Sequence, residues 1–561
     1  MTPSLRAQPV GQRKTPIYRK KIPASAIRRR GAGQVTMSAR RISASPGPSA
    51  ARLVAVIDIG SSSIRMAVAE IKADGRVRTI DSAQQAVSLG KDTFTIGEIQ
   101  SEATDECVRV LRSFRELLQE YDIAEEGQIR AVATSAVREA TNRDAFLDRI
   151  YVATGINVEV LDEAETNRIT YLAVRGLIDT EPALKKGDTL VVEAGGGNTE
   201  AILLTKGQVT YSHTYHLGAL RLREMLENYG APTLQLPGIL EMHIDRAVDQ
   251  VRRRLSLDTA DQMLALGGDI RFACSQLLPD WNKKQLATLT VRRLGALAND
   301  ILSHSVDDLV RRYKLSYPDA ETLGPALLIN VRLARAFGLK EILAGAGTLR
   351  DGLIWEMAAH EAWTEDFRQQ IIHSALQIGR KYNFDEPHAR HVAKLSSSLF
   401  TSLQAVHRLG PRYQTILNVA ALLHDIGLFV SNRSHHKHSM YLILNSDLFG
   451  LAPKDLNLVA MIARYHRRAL PRPTHELYSA LDRESRVAVS KMAALLRIAD
   501  ALDSGHLQRV SDPEFANEAG MLIVKTRPRP DLVLEKYALQ QKSQMFEQVF
   551  GMQVDLRESA S

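Results

Sequence analysis

The sequence predicts two α/β lobes of similar design followed by a separate all-α domain. Three observations carry that expectation. Two segments, LVAVIDIGSSSIRMAVAEI (53–71) and VVEAGGGNTE (191–200), repeat one pattern: apolar strand, acid, glycine- or serine-rich turn, second strand. After about residue 360 glycine thins out and helical periodicity takes over. Ten of the 16 histidines fall between His373 and His475.

The elements follow in order. Residues 54–57 and 64–71 are expected as strands joined by the turn at Gly60, with 77–86 as a third. A helix is expected over 101–121, a strand over 130–133, a helix over 143–154 and a strand over 158–161. Residues 164–175 place Ile169, Leu172 and Ala173 on one apolar stripe, which predicts a helix. The second lobe opens at Thr189, with strands at 190–192, 201–204 and 209–215. Long helices are expected at 235–258, 286–315 and 323–337, then a strand at 341–344 and a helix from Leu349. Two strand–acid–turn–strand units in one chain are the pattern of the actin-like ATPase (ribonuclease H-like) fold, in which each lobe offers one phosphate loop. The expected organisation is a disordered basic tail over 1–50, lobe I over 51–178, lobe II over 179–358, the all-α domain over 359–510, and an accessory segment over 511–561.

Composition narrows the class. A chain of 561 residues suffices for three or four domains with sizeable cores. No apolar run approaches the roughly 20 residues that span a bilayer, and the N-terminus lacks the apolar core of a secretory signal. Two cysteines, Cys107 and Cys274, argue against a disulfide framework and for a reducing, cytoplasmic compartment. The net charge of +8 is local: the first 52 residues hold 12 Lys or Arg and no acid, so the other 509 carry a net −4. Such a tail suits a weak contact with polyanions, polyphosphate or nucleic acid, or is a dispensable extension.

Glycine turns let backbone N–H groups come close to a phosphate. The candidates are Gly60, Ser61, Ser62 and Ser63 in the first turn and Gly195, Gly196, Gly197 and Asn198 in the second. Asp58 at its strand end, and Glu193 and Glu200 flanking the triple glycine, could hold a divalent cation or orient a water.

Seven segments extend the pattern between about residues 53 and 355: DIGSSSIRM, ATSAVREATNRDAF, VEVLDEAETNRITYLAV, EAGGGNTE, HLGALRL, LGGDIR and GTLRDGL. In kind and order they resemble the exopolyphosphatase/guanosine pentaphosphate phosphatase (Ppx/GppA) family. The resemblance implies Mg²⁺-dependent release of a terminal phosphate from polyphosphate or guanosine pentaphosphate, and a homodimer. It adds Arg138, Gly267 and Gly268 to the phosphate-binding candidates, Arg138 through its planar fork. It also isolates a departure. The family pattern Ser-Gly-x-Glu-Glu-Ala-Arg carries the catalytic base at its second Glu; aligned on Arg168, that position is Thr166. Threonine cannot accept a proton near neutral pH. The substitutes are Glu163, which shares a helix face with Thr166, and Glu165, about 100° away round the helix. Glu193 stands for the usual Asp, Ser62 for the usual Asn, and Asp269 for a small hydroxyl residue, which puts a carboxylate near a phosphate pocket.

In the helical domain HARHVAKL, LLHDIG and LLRIADALD carry His388, His424, Asp425 and Asp500. Their order and spacing resemble an HD-type metal-dependent phosphohydrolase. His388 falls on a stripe with Val392 and Leu395, His424 with Ala420 and Leu423, and Asp500 with Leu496. Polar groups on buried faces need partners, and a divalent Mn²⁺, Fe²⁺, Zn²⁺ or Mg²⁺ would satisfy these four. His391 competes with His388 as first ligand, and the family spacing favours His388. His436, His438 and His466, with Arg467 beside them, are further ligand or phosphate candidates. The expected function is phosphohydrolysis in the two-lobed part. The alternatives are a front domain that senses polyphosphate or an alarmone while the helical site hydrolyses, and a non-catalytic regulator.

Overall fold

Each lobe is built on a six-stranded sheet, and the two sheets share one plan. In the first, Val77–Ala86, Ser63–Ile71 and Arg52–Ile59 pair antiparallel, and Ile129–Ala133 and Val158–Val160 continue in parallel. In the second, Gln208–Tyr215, Thr199–Thr205 and Asp188–Ala194 pair antiparallel, and Gln262–Leu266 and Glu341–Ala344 continue in parallel. The duplication inferred from two turns is thus a duplication of whole sheets, the actin-like plan. The central strands read as near-continuous apolar runs because both faces are covered: Val54 to Ile59 is buried throughout. The computed structural model describes residues 18–19, 51–124, 126–229, 236–255, 260–359, 363–518, 520–527 and 531–558. The basic tail lies outside the described residues except for Tyr18–Arg19, which pairs with Ala83 and Gln84 at the edge of the first sheet.

The segment 286–315, expected as one helix, is three elements. Ala287–Thr290 is an edge strand antiparallel to Glu341–Ala344, followed by helices Val291–Leu302 and Val306–Tyr313. The reason is local: Thr290 and Ser305 each accept a hydrogen bond from the N–H three residues on, and so start new helices.

Helix Glu163–Thr180 lies between the lobes. Its Ile169 packs with Val54 and Val56 of the first sheet, while Tyr171, Val174 and Ile178 pack with Val191 and Ile202 of the second. Helix Leu349–Ala359 runs against it, and a side chain at Gly352 would collide with the Ile169 carbonyl oxygen. This pair fixes where residues 163–170 meet the space between the lobes.

Helices Glu365–Lys381, Glu386–Ser402, Pro411–Leu423, His435–Leu444, Pro453–Arg464 and Arg483–Ala501 form the helical domain. Its core is continuous with the second lobe through Phe449, which stacks edge-on with Tyr171 (5.5 Å) and Phe367 (5.7 Å). The C-terminal segment is a small sheet, Glu514–Glu518, Met521–Thr526 and Gln553–Glu558, with helices Val533–Lys542 and Gln544–Phe550 between its last two strands. Leu522, Leu539, Met545 and Phe546 join the helical-domain core, so this segment covers that domain. No helix among the described residues is long and apolar enough to cross a membrane.

Candidate active site

The two turns close in the same way. Gly60 N–H donates to the Ser63 carbonyl (3.0 Å) and Gly195 N–H to the Asn198 carbonyl (2.8 Å). They face a cleft of about 410 Å³. A Cβ on Gly196 would collide with Ser61 Oγ, and one on Gly197 with Ser135 Oγ. Neither glycine has a positive φ. What a side chain would strike is the opposite lobe, so these two glycines let the lobes touch. That is a different demand from the close phosphate approach expected of them. Gly267, at φ +114, is the cleft glycine whose backbone excludes a side chain on conformational grounds.

Asp58, Gly60, Ser61, Ser62, Ser63, Arg138, Glu193, Gly195, Gly196, Gly197, Asn198, Glu200, Gly267 and Gly268 all line this one cleft. So do Arg65, Arg271 and Arg350, which sequence reasoning passed over although each lies inside a quoted motif. Arg350 pairs with Asp58 at 3.1 Å. Arg271 Nη1 is buried without a hydrogen-bond partner, and burial lowers the proton affinity of this guanidinium. Arg138 donates to the Leu161 carbonyl (2.8 Å) and, through Nη2, to the Asn198 amide oxygen (2.9 Å). Arg221, in HLGALRL, was also missed. It donates to the Gly197 carbonyl (2.9 Å) and grips both oxygens of Glu139 (2.8 and 2.7 Å), tying the second turn to the first lobe.

Glu193 and Glu200 are direct partners in the antiparallel ladder. Withdrawal from bulk water, then the neighbouring Glu193, pushes the Glu200 carboxyl up to about 8. Burial likewise raises Glu193, against the opposing charge of Arg271. Asp269 is pushed up to about 7, again by burial, so near neutral pH it is often uncharged. The carboxylate expected to oppose a phosphate there is partly relieved of its charge.

Thr166 is buried and lines the cleft, its hydroxyl donating to the Asp162 carbonyl at 2.8 Å. The alignment on Arg168 therefore marks the cleft-facing position. Neither glutamate beside it lines the cleft. Glu165 accepts from Arg168 (3.0 and 2.5 Å), in a network where Arg168 and Arg130 also grip Glu356 (2.7 and 2.5 Å). This network holds Glu165 below its usual range against the opposing effect of burial. Glu163, half-buried in the first turn of the helix, carries no such pairing, and its charge helps to raise Glu200.

The helical domain gathers a second set of groups. His388 Nε2 and His424 Nε2 lie 3.9 and 4.0 Å from Asp500 Oδ1, and His424 Nε2 lies 3.7 Å from Asp425 Oδ2. Asp500 Oδ2 is held by Lys542 at 2.5 Å. His388 Nε2, His424 Nε2 and Asp425 Oδ1 are buried with no hydrogen-bond partner. Buried acceptors turned toward one another without a donor fit a cation, and the imidazoles favour Mn²⁺, Fe²⁺ or Zn²⁺ over Mg²⁺. His424 caps helix Pro411–Leu423 with helical φ and ψ and is buried with Ala420 and Leu423, as its stripe predicts, and Asp425 follows it. His391 turns away, its Nε2 on the Val510 carbonyl (3.0 Å). His466 joins the cluster and His435 joins it in place of the expected His436 and His438. In a run of consecutive histidines the inward residue depends on where helix His435–Leu444 begins, which the sequence does not mark.

The Ppx/GppA phosphatase family model matches residues 67–361, and the model of Ppx/GppA phosphatase domain III matches residues 371–542. The chain belongs to the Ppx/GppA phosphatase family. Among solved structures, a family member from Aquifex aeolicus is similar at 23% identity, over 56% of this chain and 100% of that one, with a TM-score of 0.45. An exopolyphosphatase from Cytophaga hutchinsonii is similar at 20% identity, over 55% of this chain and 99% of that one, with a TM-score of 0.49. In this Ppx/GppA protein the domain III match runs past residue 510 to Lys542, whose ammonium rests on Asp500. The family is one of phosphohydrolases, generally dependent on a divalent metal.

Proposed function

We propose that the chain releases the terminal phosphate of inorganic polyphosphate or guanosine pentaphosphate in the cleft between its lobes. The observation that carries this reading is the convergence of Arg65, Arg138, Arg271 and Arg350 on two matched turns. A terminal phosphate would take up their donors, including the unpartnered Arg271 Nη1. Glu193 and Glu200 fit Mg²⁺, a hard cation that prefers carboxylate oxygens; when bound it would neutralise phosphoryl charge. It would also favour the ionised form of Glu200. Glu163 is the better candidate base, because both oxygens of Glu165 are committed to Arg168. A cytoplasmic homodimer belongs to the same reading. The test is phosphate release from long-chain polyphosphate, then from guanosine pentaphosphate, with Mg²⁺. Rates like wild type after Glu200→Ala and Arg138→Ala would sink it; loss in Glu163→Gln but not Glu165→Gln would identify the base.

A second reading is favoured by the unpartnered His388 Nε2, His424 Nε2 and Asp425 Oδ1. Here the helical domain is an HD-type metal site that hydrolyses a phosphoester or nucleotide, and the front cleft senses polyphosphate or an alarmone. It fails if Asp425→Ala leaves both hydrolysis and metal content unchanged.

A further inference from the structure

One surface of the helical domain carries positive charge without compensation. Residues 426–446 hold Arg433 and Lys437 and no acid, and residues 456–481 hold Arg464, Arg467, Arg468 and Arg472 against a single acid, Glu476. Among the described residues none of these six cations has an ion-pair partner. Elsewhere in the domain cations are paired: Arg380 and Arg390 with Glu386, Arg412 with Asp455, and Lys454 with Asp482. We propose that this surface binds a single-stranded polynucleotide, with Lys437, Arg464, Arg467 and Arg472 on its phosphates and Tyr441 against a base. The surface lies outside the lobe cleft, and the proposal rests on neither reading of hydrolysis.

The two segments share a face. Arg464 closes helix Pro453–Arg464, and its Nη1 reaches Met440 Sδ on helix His435–Leu444 at 3.5 Å. The charges of Arg464 and Lys437 act on both His436 and His475, joined by Arg467 at the first and Arg472 at the second. Burial, then His435 and these cations, pushes His436 down to about 4. Burial, then the cations, lowers His475 as well. The charges acting on the two imidazoles are all cationic, a standing repulsion that a bound polyanion relieves.

The cations are presented on a fixed backbone. The buried Arg497 donates from Nε to the Tyr465 carbonyl (2.7 Å) and from Nη2 to the Ala469 carbonyl (2.5 Å), which pins the loop after Arg464 from beneath. Pro471 and Pro473 restrict the chain beyond it. At the far end the Tyr465 hydroxyl and His475 Nδ1 hydrogen bond at 2.7 Å, and their rings stack at 5.7 Å. Arg468 and Arg472 are exposed and Arg467 is half-buried, above a loop that has little freedom left to lose on binding.

Tyr441 decides the class of polyanion. It is 64% exposed and sits four residues after Lys437, on the same face of helix His435–Leu444. Inorganic polyphosphate would engage the cations and leave this ring in water. A single-stranded polynucleotide offers phosphates at the spacing of the cations and a base face for the ring, whereas a duplex keeps its base faces stacked inside.

The test is fluorescence anisotropy on the full-length chain with a labelled uridylate oligonucleotide, competed by inorganic polyphosphate and by a DNA duplex. The basic tail is present in every variant, so differences between variants report this surface. The triple variant Lys437→Ala, Arg467→Ala, Arg472→Ala is expected to weaken binding by about tenfold or more. It should also flatten the slope of log affinity against log salt by about two, at roughly 0.7 per phosphate contact on a single strand. Tyr441→Ala is expected to weaken oligonucleotide binding by about fivefold or more and to leave polyphosphate binding within about twofold. Circular dichroism checks that each variant is folded, and Tyr441→Ala, at an exposed helix position, keeps the test open if the triple variant does not fold. No binding by wild type, or equal binding by wild type and the triple variant, overturns the proposal. Loss in the triple variant with Tyr441→Ala unchanged overturns it too, and makes the surface a site for any phosphate chain. A duplex that competes better than the single strand has the same consequence.

Discussion

The lobe cleft and the centre of the helical domain gather charge in opposite ways. The cleft mixes four guanidinium groups with Asp58, Glu193, Glu200 and Asp269, so donors and acceptors alternate around its walls. The helical centre holds lone pairs and carboxylates facing one another, with Lys542 at its edge on Asp500. A surface of the first kind takes an anion together with a counter-cation. One of the second kind takes cations first, and binds an anion only through them. Each arrangement leaves buried polar atoms unpartnered, Arg271 Nη1 in the first and His388 Nε2, His424 Nε2 and Asp425 Oδ1 in the second. The sign of the unsatisfied groups distinguishes what each is built to receive.

Removing one charge from each site separates the two centres most strongly. Arg138→Ala or Glu200→Ala is expected to lower phosphate release from polyphosphate by about 10²–10³-fold, while Asp425→Ala changes it by less than about twofold. The reverse pattern in a steady-state assay would move catalysis to the helical domain.

The vacant base position comes next. In a Glu163→Gln background, Thr166→Glu returns a carboxylate to the cleft-facing position, and a recovery in kcat of about tenfold or more is expected. An unchanged kcat would mean that a carboxylate at this position does not serve as base.

A smaller effect separates Glu165 from chemistry. Glu165→Gln weakens the charge network around the fully buried Arg168 and should cost about 2–3 kcal/mol of unfolding free energy in chemical denaturation. kcat should stay within about twofold. Lost turnover at unchanged stability would reverse that assignment.

An effect of similar size is expected on pH dependence without metal. In the folded chain the Glu200 carboxyl keeps its proton up to about pH 8, against about 4.3 in an unfolded chain. Between these values the folded state binds more proton than the unfolded state, so stability falls as pH rises from about 5 through 8. Glu200→Gln removes that slope. Wild type and variant should differ little near pH 5 and diverge by about 2–4 kcal/mol in favour of the variant by pH 8.5. Thermal or denaturant unfolding across that range checks the sign.

Much of the fold is legible along the chain. Apolar runs leading into Asp58 and Glu193 locate the central strands, because strands covered on both faces must be apolar along their length. The strand at Val77–Ala86, the helix at Arg143–Thr154 and the strand at Glu341–Ala344 match their expected bounds. Segment 286–315 does not, because Thr290 and Ser305 act as caps only where the chain turns, and a periodicity window averages across them.

The lobe duplication, the two turns and the histidine-rich helical domain are legible in the sequence, since each depends on neighbours along the chain, and the family resemblance adds the cleft-facing place of Thr166. Only the tertiary structure decided which charges meet. Arg65, Arg271 and Arg350 enter one cleft from three distant segments. Glu165 is drawn to Arg168 although it sits one residue from the cleft position, because a helix turns about 100° per residue. His435 rather than His436 faces Asp425 for the same reason. Residues remote in sequence are brought together by packing, and single-residue rotations about a helix decide which of two adjacent side chains arrives.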